Sequence, residues 1–75
     1  MSKTEGVLYI YDRLINIGTF TKDEIKTTLG ISDLTFHRYL GDLRHYFNEN
    51  GKSREIIYKK DKGIYVFVEY IRSGN

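Results

Sequence analysis

A new helix begins inside the stretch Leu29–Leu43, which reads LGISDLTFHRYLGDL. Gly30 is the type of residue that ends a helix, and the hydroxyl of Ser32 can cap the next one by accepting from a free N–H. Upstream, Thr21 and Glu24 have capping-box spacing, in which the hydroxyl accepts from the helix and the carboxylate reaches back. Two short helices joined by a glycine turn predict a helix-turn-helix, which presents a helix end to the major groove of DNA.

Apolar residues recur at helical spacing on both sides of the glycine turn. Residues 6–17 carry such a pattern, which predicts a first helix, and a second is predicted over 22–29. Phe20 lies between them, where we expect a minimal strand. The third helix, 33–47, has a core stripe at steps of four, three and four, made of Phe36, Leu40, Leu43 and Phe47.

The C-terminal third of the chain predicts a β-hairpin. Residues 55–60 alternate weakly, 64–71 are aromatic and β-branched, and Gly63 stands where a turn needs positive φ. The predicted fold class is therefore α+β, mainly α: a three-helix winged helix-turn-helix with a C-terminal two-stranded hairpin as its wing. We expect the domain to span 6–71, with a flexible arm at 1–5 and a flexible tail at 72–75.

Length and composition exclude several classes of function. Seventy-five residues make one small domain without room for a deep catalytic cleft. There is no Cys, and the sequence lacks zinc-ligand spacing, a phosphate-binding loop and paired carboxylates, so we expect neither an enzyme nor a cofactor or metal. Since neither a membrane-spanning apolar run nor a signal-peptide region is present, a cytoplasmic protein without a membrane partner is expected.

Basic residues concentrate near the hairpin. The net charge is +2, but residues 1–50 contain six Lys or Arg against seven Asp or Glu, and residues 51–75 contain six against three. A basic cluster beside a turn is typical of an edge that contacts phosphates. It is equally typical of solvated lysines that keep an edge strand from aggregating.

Arg38, His37 and Leu34 of the third helix can contact bases. The first two turns of such a helix enter the groove. Arg38 can bond guanine or a phosphate, or else pair with Asp42 four residues on. His37 can contact a base edge or a phosphate, or simply be exposed. Leu34 can meet a thymine methyl or pack on the second helix.

Hydroxyls and lysines complete the predicted interface. Ser32 and Thr35 can contact phosphates, with capping the main role of Ser32, and Asp33 can accept from cytosine. On the second helix, Lys22 and Lys26 either clamp the backbone or are solvated. The predicted DNA-contacting residues are Ser32, Asp33, Leu34, Thr35, His37 and Arg38 of the helix, with Lys59, Lys60 and Lys62 of the wing.

The assembled pattern resembles the N-terminal winged helix of bacterial DeoR-type regulators, especially those whose sensor half is a WYL domain. The resemblance covers about residues 5–68 and rests on Leu29-x-Ile31-Ser32-x-x-Thr35-Phe36-x-Arg38-x-Leu40-x-x-Leu43, then Ile56-x-Tyr58 and Gly63-x-Tyr65-x-Phe67. The chain departs from the family pattern at Tyr39, where an acidic residue is common, at His37, where a basic residue or Tyr is frequent, and at Gly41, which lies inside the third helix.

The resemblance implies a bacterial transcriptional regulator that binds double-stranded DNA sequence-specifically. Helix 33–47 would enter the major groove, and the wing at 59–63 would contact the backbone or the minor groove. A sensor domain usually follows this module, so we expect either the DNA-binding half of a larger regulator or a small stand-alone one. The alternative is a protein–protein interaction module or antirepressor that does not bind DNA, since fold does not fix function.

The second hairpin strand is apolar on both faces, although a half-exposed wing needs only one apolar face. Tyr65 and Phe67 lie on one face, and the other carries Ile64, Val66, Val68 and Tyr70. A terminal segment could cover that second face. Otherwise we expect it to contact a partner, either a second copy in a homodimer or a missing C-terminal sensor domain.

Overall fold

Three helices and a three-stranded sheet make up the fold in the computed structural model, which describes residues 2–50 and 53–70. The strands are antiparallel in the order β1-β3-β2, so the last strand is central. This confirms the predicted α+β, mainly helical winged-helix arrangement and the short strand at Phe20. The elements are α1 (Lys3–Asn16), β1 (Thr19–Phe20), α2 (Lys22–Leu29), α3 (Asp33–Glu49), β2 (Arg54–Lys59) and β3 (Ile64–Glu69).

Helix α1 begins at Lys3, three residues before the predicted start. The Ser2 hydroxyl accepts from the Glu5 N–H at 3.2 Å, and the Glu5 carboxylate accepts from the Ser2 N–H at 3.1 Å. This capping box satisfies N–H groups that a helix start leaves free, and the bonds from Ser2 lower the pKa of Glu5. The predicted flexible arm at 1–5 is therefore wrong for residues 3–5, which are helical. The predicted tail, 72–75, lies outside the described residues.

Helix α2 has its predicted bounds, but only half of its predicted capping box forms. The Thr21 hydroxyl accepts from the Glu24 N–H at 3.1 Å. The Glu24 carboxylate accepts from the guanidinium of Arg13 in α1 instead of reaching back to Thr21. Gly30 ends α2 with φ 67°, as a C-terminal glycine should. An ion pair between α1 and α2 thus replaces the second half of the cap.

The core lies between the helices and the inner face of the sheet. The whole predicted stripe of α3 is buried there, namely Phe36, Leu40, Leu43 and Phe47. The rings of Phe20, Phe36 and Tyr65 contact one another with centroids 5.4 to 6.1 Å apart. We call these three rings the aromatic cluster. Because each ring comes from a different element, the cluster fixes the start of α3 on β1 and β3.

Helices α1 and α3 approach closely at Gly6. A Cβ added to Gly6 would lie 2.5 Å from Cε2 of Tyr39 in α3. Tyr39 is buried and belongs to the core, although it lies outside the predicted stripe. The ring therefore occupies the space that the missing side chain of Gly6 leaves.

The outer face of the sheet is apolar at its centre, as predicted. Val66 in β3 lies between Thr19 of β1 and Ile57 of β2, and Val68 pairs with Glu55. Ile57, Val66 and Val68 are all partly exposed. A partner on this face stays a prediction. None of the three helices in the described ranges has the length and apolar character that crossing a membrane requires.

Removal of one ring of the aromatic cluster should unfold much of the protein. We expect Phe36→Ala to lower the free energy of unfolding by about 3–5 kcal/mol, because a fully buried phenyl leaves a cavity. Urea denaturation followed by circular dichroism measures the change. Leu34→Ala, two residues away on the exposed side of α3, is the control and should change stability by less than about 0.5 kcal/mol. Similar losses for the two variants would contradict the role of the cluster.

Candidate nucleic-acid interface

The start of α3 is capped as predicted. The Ser32 hydroxyl accepts from the Thr35 N–H at 3.2 Å and lies 3.2 Å from the Thr35 hydroxyl. Ser32 is exposed, and so is Asp33 beside it. The remaining N–H groups of a first helical turn have no partner within the helix, so this end of α3 can accept an anion. A phosphate contact there stays a prediction.

Asp33 is held by two lysines of α2. Its Oδ2 lies 2.9 Å from Nζ of Lys22, and its Oδ1 contacts Nζ of Lys26. Hydrogen bonds from Lys26 and Lys22 lower the pKa of Asp33 to about 2, so the carboxylate stays ionised at neutral pH. Both of its oxygens already have cationic partners, and a cytosine would have to compete with them. The sequence did not predict this role for the two lysines, because α2 and α3 meet only in the folded chain.

Arg38 is exposed and has no carboxylate partner among residues 2–50 and 53–70. The alternative pairing with Asp42 does not form. Oδ2 of Asp42 instead lies 3.1 Å from Nζ of Lys3 in α1. The guanidinium of Arg38 is therefore free to contact an external anion or a base edge.

Leu34 and Arg38 belong to a longer line of exposed residues along α3. Each lies two positions before a residue of the buried stripe, and two positions are about 200° around a helix. Gly41 and His45 continue the same spacing and are exposed as well. We call Leu34, Arg38, Gly41 and His45 the outward line. Leu34 is 61 % exposed, so α2 does not bury it.

Sequence reasoning placed His45 toward solvent but did not include Gly41, and it assigned a DNA contact to neither residue. It considered only the first two turns of the helix, which general docking geometry favours. The signal was available, because shifting the predicted core stripe by two positions gives Gly41 and His45 directly. The outward line runs from the first turn of α3 to the fourth.

His37 lies on the side of α3 that faces strand β2 of the wing. Its ring contacts Phe36 edge-on with centroids 5.2 Å apart. Arg44, two turns further along the same side, donates to the Ile56 carbonyl of β2 at 3.0 Å. His37 is exposed and is therefore placed between the outward line and the sheet.

The wing lysines surround the turn between β2 and β3. Lys59, Lys60 and Lys62 are all exposed, and none of them pairs with a carboxylate within the described chain. The N–H groups of Lys62 and Gly63 donate to the Lys59 carbonyl at 3.1 and 2.8 Å, which closes the turn. Gly63 has the predicted positive φ, 66°. The three ammonium groups therefore project from a well-defined turn.

The wing is joined to the start of α3 through aromatic rings. Tyr58 of β2 contacts Tyr65 at 4.7 Å between centroids, and Tyr65 belongs to the aromatic cluster with Phe36. Burial raises the pKa of Tyr65, so its hydroxyl stays protonated. The two predicted parts of the interface, the first turns of α3 and the wing, are thus connected by side-chain packing.

Metal chemistry finds no support in the part of the chain that is described. Within residues 2–50 and 53–70, no three His, Cys, Asp or Glu side chains come together in a way that could hold a metal ion. The expectation that the protein is not an enzyme stays a prediction.

Comparison of the chain with protein-family models, with curated proteins and with solved structures found no match. The likeness to DeoR-type regulators therefore rests on the residues quoted above, and a function has to be proposed from the geometry of the site.

Proposed function

We propose that this chain binds double-stranded DNA as the winged-helix module of a bacterial transcriptional regulator. Helix α3 would enter the major groove, and the wing turn would contact the backbone or the minor groove. The observation that carries the proposal is the distribution of paired and unpaired charges. Asp33 and Asp42 are paired with lysines of other helices, while Arg38 between them has no such partner within the described ranges.

This distribution favours a polyanion over a neutral partner. The carboxylates of Asp33 and Asp42 would repel phosphates if they were unpaired, and their lysine partners screen that repulsion. The unpaired Arg38 and the wing lysines are then the groups that can replace the counterions of DNA. Release of those counterions would supply most of the affinity that does not depend on sequence.

Specificity would come from the first two turns of α3. Arg38 suits guanine O6 and N7 or a phosphate, and the exposed Leu34 suits a thymine methyl. His37 suits a base edge or a phosphate on the wing side. Ser32 and Thr35 would contact phosphates through hydroxyl and N–H groups. One module covers a short half-site, so a homodimer or a following sensor domain would help to extend it.

DNA binding should show a steep dependence on salt. With a random-sequence duplex of about 30 base pairs, we expect affinity to fall about a hundredfold between ~50 and ~200 mM salt if about four phosphates are contacted. Fluorescence anisotropy of a labelled duplex measures this. Absence of binding at ~50 mM salt would overturn the proposal. That outcome would favour the protein-binding alternative, for which the partly exposed Ile57, Val66 and Val68 offer a surface.

Arg38 and the wing lysines should contribute differently to binding. On a duplex selected from a randomised library, Arg38→Ala should cost about 1–3 kcal/mol and reduce discrimination between bases. Replacement of Lys59, Lys60 and Lys62 by Gln should reduce the affinity for the selected duplex and for the random duplex by the same factor. It should also lower the log–log salt slope by about one for each phosphate that a lysine no longer neutralises.

Arg13→Gln is the charge-matched control for Arg38→Ala, because it too removes one positive charge, here from α1. Arg13 is paired with Glu24 and should not affect DNA affinity. If Arg13→Gln weakens binding as much as Arg38→Ala, net charge rather than this interface controls affinity.

Asp33 provides a test of the charge arrangement itself. We expect Asp33→Asn to raise DNA affinity about 3- to 10-fold, because it removes a negative charge and releases Lys22 and Lys26 for phosphates. Asp23→Asn, an exposed position on α2 with the same change in net charge, is the control. A loss of affinity for Asp33→Asn on the selected duplex would show instead that the carboxylate accepts from a base.

A further inference from the structure

Contacts within the described part of the protein do not explain why residue 41 is a glycine. It lies in the middle of α3, where glycine is less favourable than every residue except proline. A Cβ added there would meet no atom of residues 2–50 and 53–70 within 4 Å, and the backbone does not require positive φ. Gly6 is different, because the ring of Tyr39 fills the space beside it. A reason for Gly41 must therefore be sought outside the folded chain.

We propose that Gly41 is the point at which α3 crosses one wall of the major groove, where the sugar-phosphate backbone closely approaches the helix backbone. This inference rests on the proposed function. Gly41 follows Leu34 by seven residues on the outward line, which is about 10 Å along the helix axis. The major groove is about 12 Å wide, and the 17 residues of α3 extend about 25 Å.

These lengths place the sugar-phosphate wall of the major groove near Gly41. If the exposed Leu34 lies against the bases and α3 runs across the groove, a helix about twice as long as the groove is wide must leave it, and the exit falls about two turns further on. A side chain at that point would separate the helix from the phosphates. Glycine lets the phosphodiester chain approach the main chain of α3.

The exposed side chains around Gly41 suit a phosphate wall. Arg38 is one turn before Gly41 and His45 is one turn after it, and both are exposed. The adjacent Asp42 would repel phosphates, but Lys3 is 3.1 Å from its carboxylate. A packed protein helix would instead require apolar neighbours at this position. The surroundings of Gly41 therefore favour DNA as the molecule that approaches it.

Substitution of Gly41 should change stability and binding in opposite directions. Gly41→Ala should raise the Tm by about 4–8 °C, since alanine favours the helix and the site is open. It should also weaken binding about tenfold, and Gly41→Leu should weaken binding further because its side chain is larger. Each variant should lose the same factor of affinity on the selected duplex as on a random duplex, because the sugar-phosphate backbone carries no sequence information.

Thr28→Ala is the control, since it places an alanine at an exposed helical position on α2 outside the outward line. It should leave DNA affinity unchanged. If the wild type binds DNA and Gly41→Ala binds it with the same affinity, this inference is overturned and the proposed function stands. A lower Tm for Gly41→Ala would also overturn it, because the glycine would then have an internal cause. If the wild-type chain binds no duplex at ~50 mM salt, both proposals fail together.

Discussion

The aromatic cluster of Phe20, Phe36 and Tyr65 is the contact on which the rest of the molecule depends. Strand β1 has only two residues, and its buried ring packs against both Phe36 of α3 and Tyr65 of β3. Phe36 lies between Thr35 and His37, so the residue that fixes α3 on the sheet also orients its neighbours toward the exterior. Tyr58 extends the same packing to the wing turn. Core stability and the geometry of the interface therefore share one set of contacts.

Ion pairs between helices have a different role from the aromatic cluster. Asp33 with Lys22 and Asp42 with Lys3 are exposed pairs, and such pairs contribute little to stability. Their consequence is local, because they determine which charges α3 presents. The two carboxylates are compensated by lysines of α1 and α2, and Arg38 between them has no carboxylate partner in the described ranges 2–50 and 53–70. Near-neutral net charge is thus compatible with a surface that attracts phosphates.

Sequence reasoning succeeded where the determinants were local and failed where they were not. The Ser32 cap, the turn at Gly63 and the buried stripe depend on neighbours within a few residues, and all were predicted. The start of α1 is also set locally, by the capping box of Ser2 and Glu5, but the prediction followed only the apolar pattern that begins at Gly6. The pairing of Arg38 with Asp42 could not be judged from spacing alone, because its competitor, Lys3, comes from another helix.

The outward line could have been deduced from the core stripe, because a helix that buries one side must present the opposite side. The stripe that begins at Phe36 therefore implies an exposed line that begins at Leu34 and includes Gly41. The two-residue shift identifies only which residues face outward. The chemical character of those residues determines which groups they can contact. An apolar residue stands at the helix start, followed by an arginine without a carboxylate partner in residues 2–50 and 53–70, and then by a residue without a side chain. In the proposed complex these would meet a base edge, a guanine or a phosphate, and a close backbone, in that order.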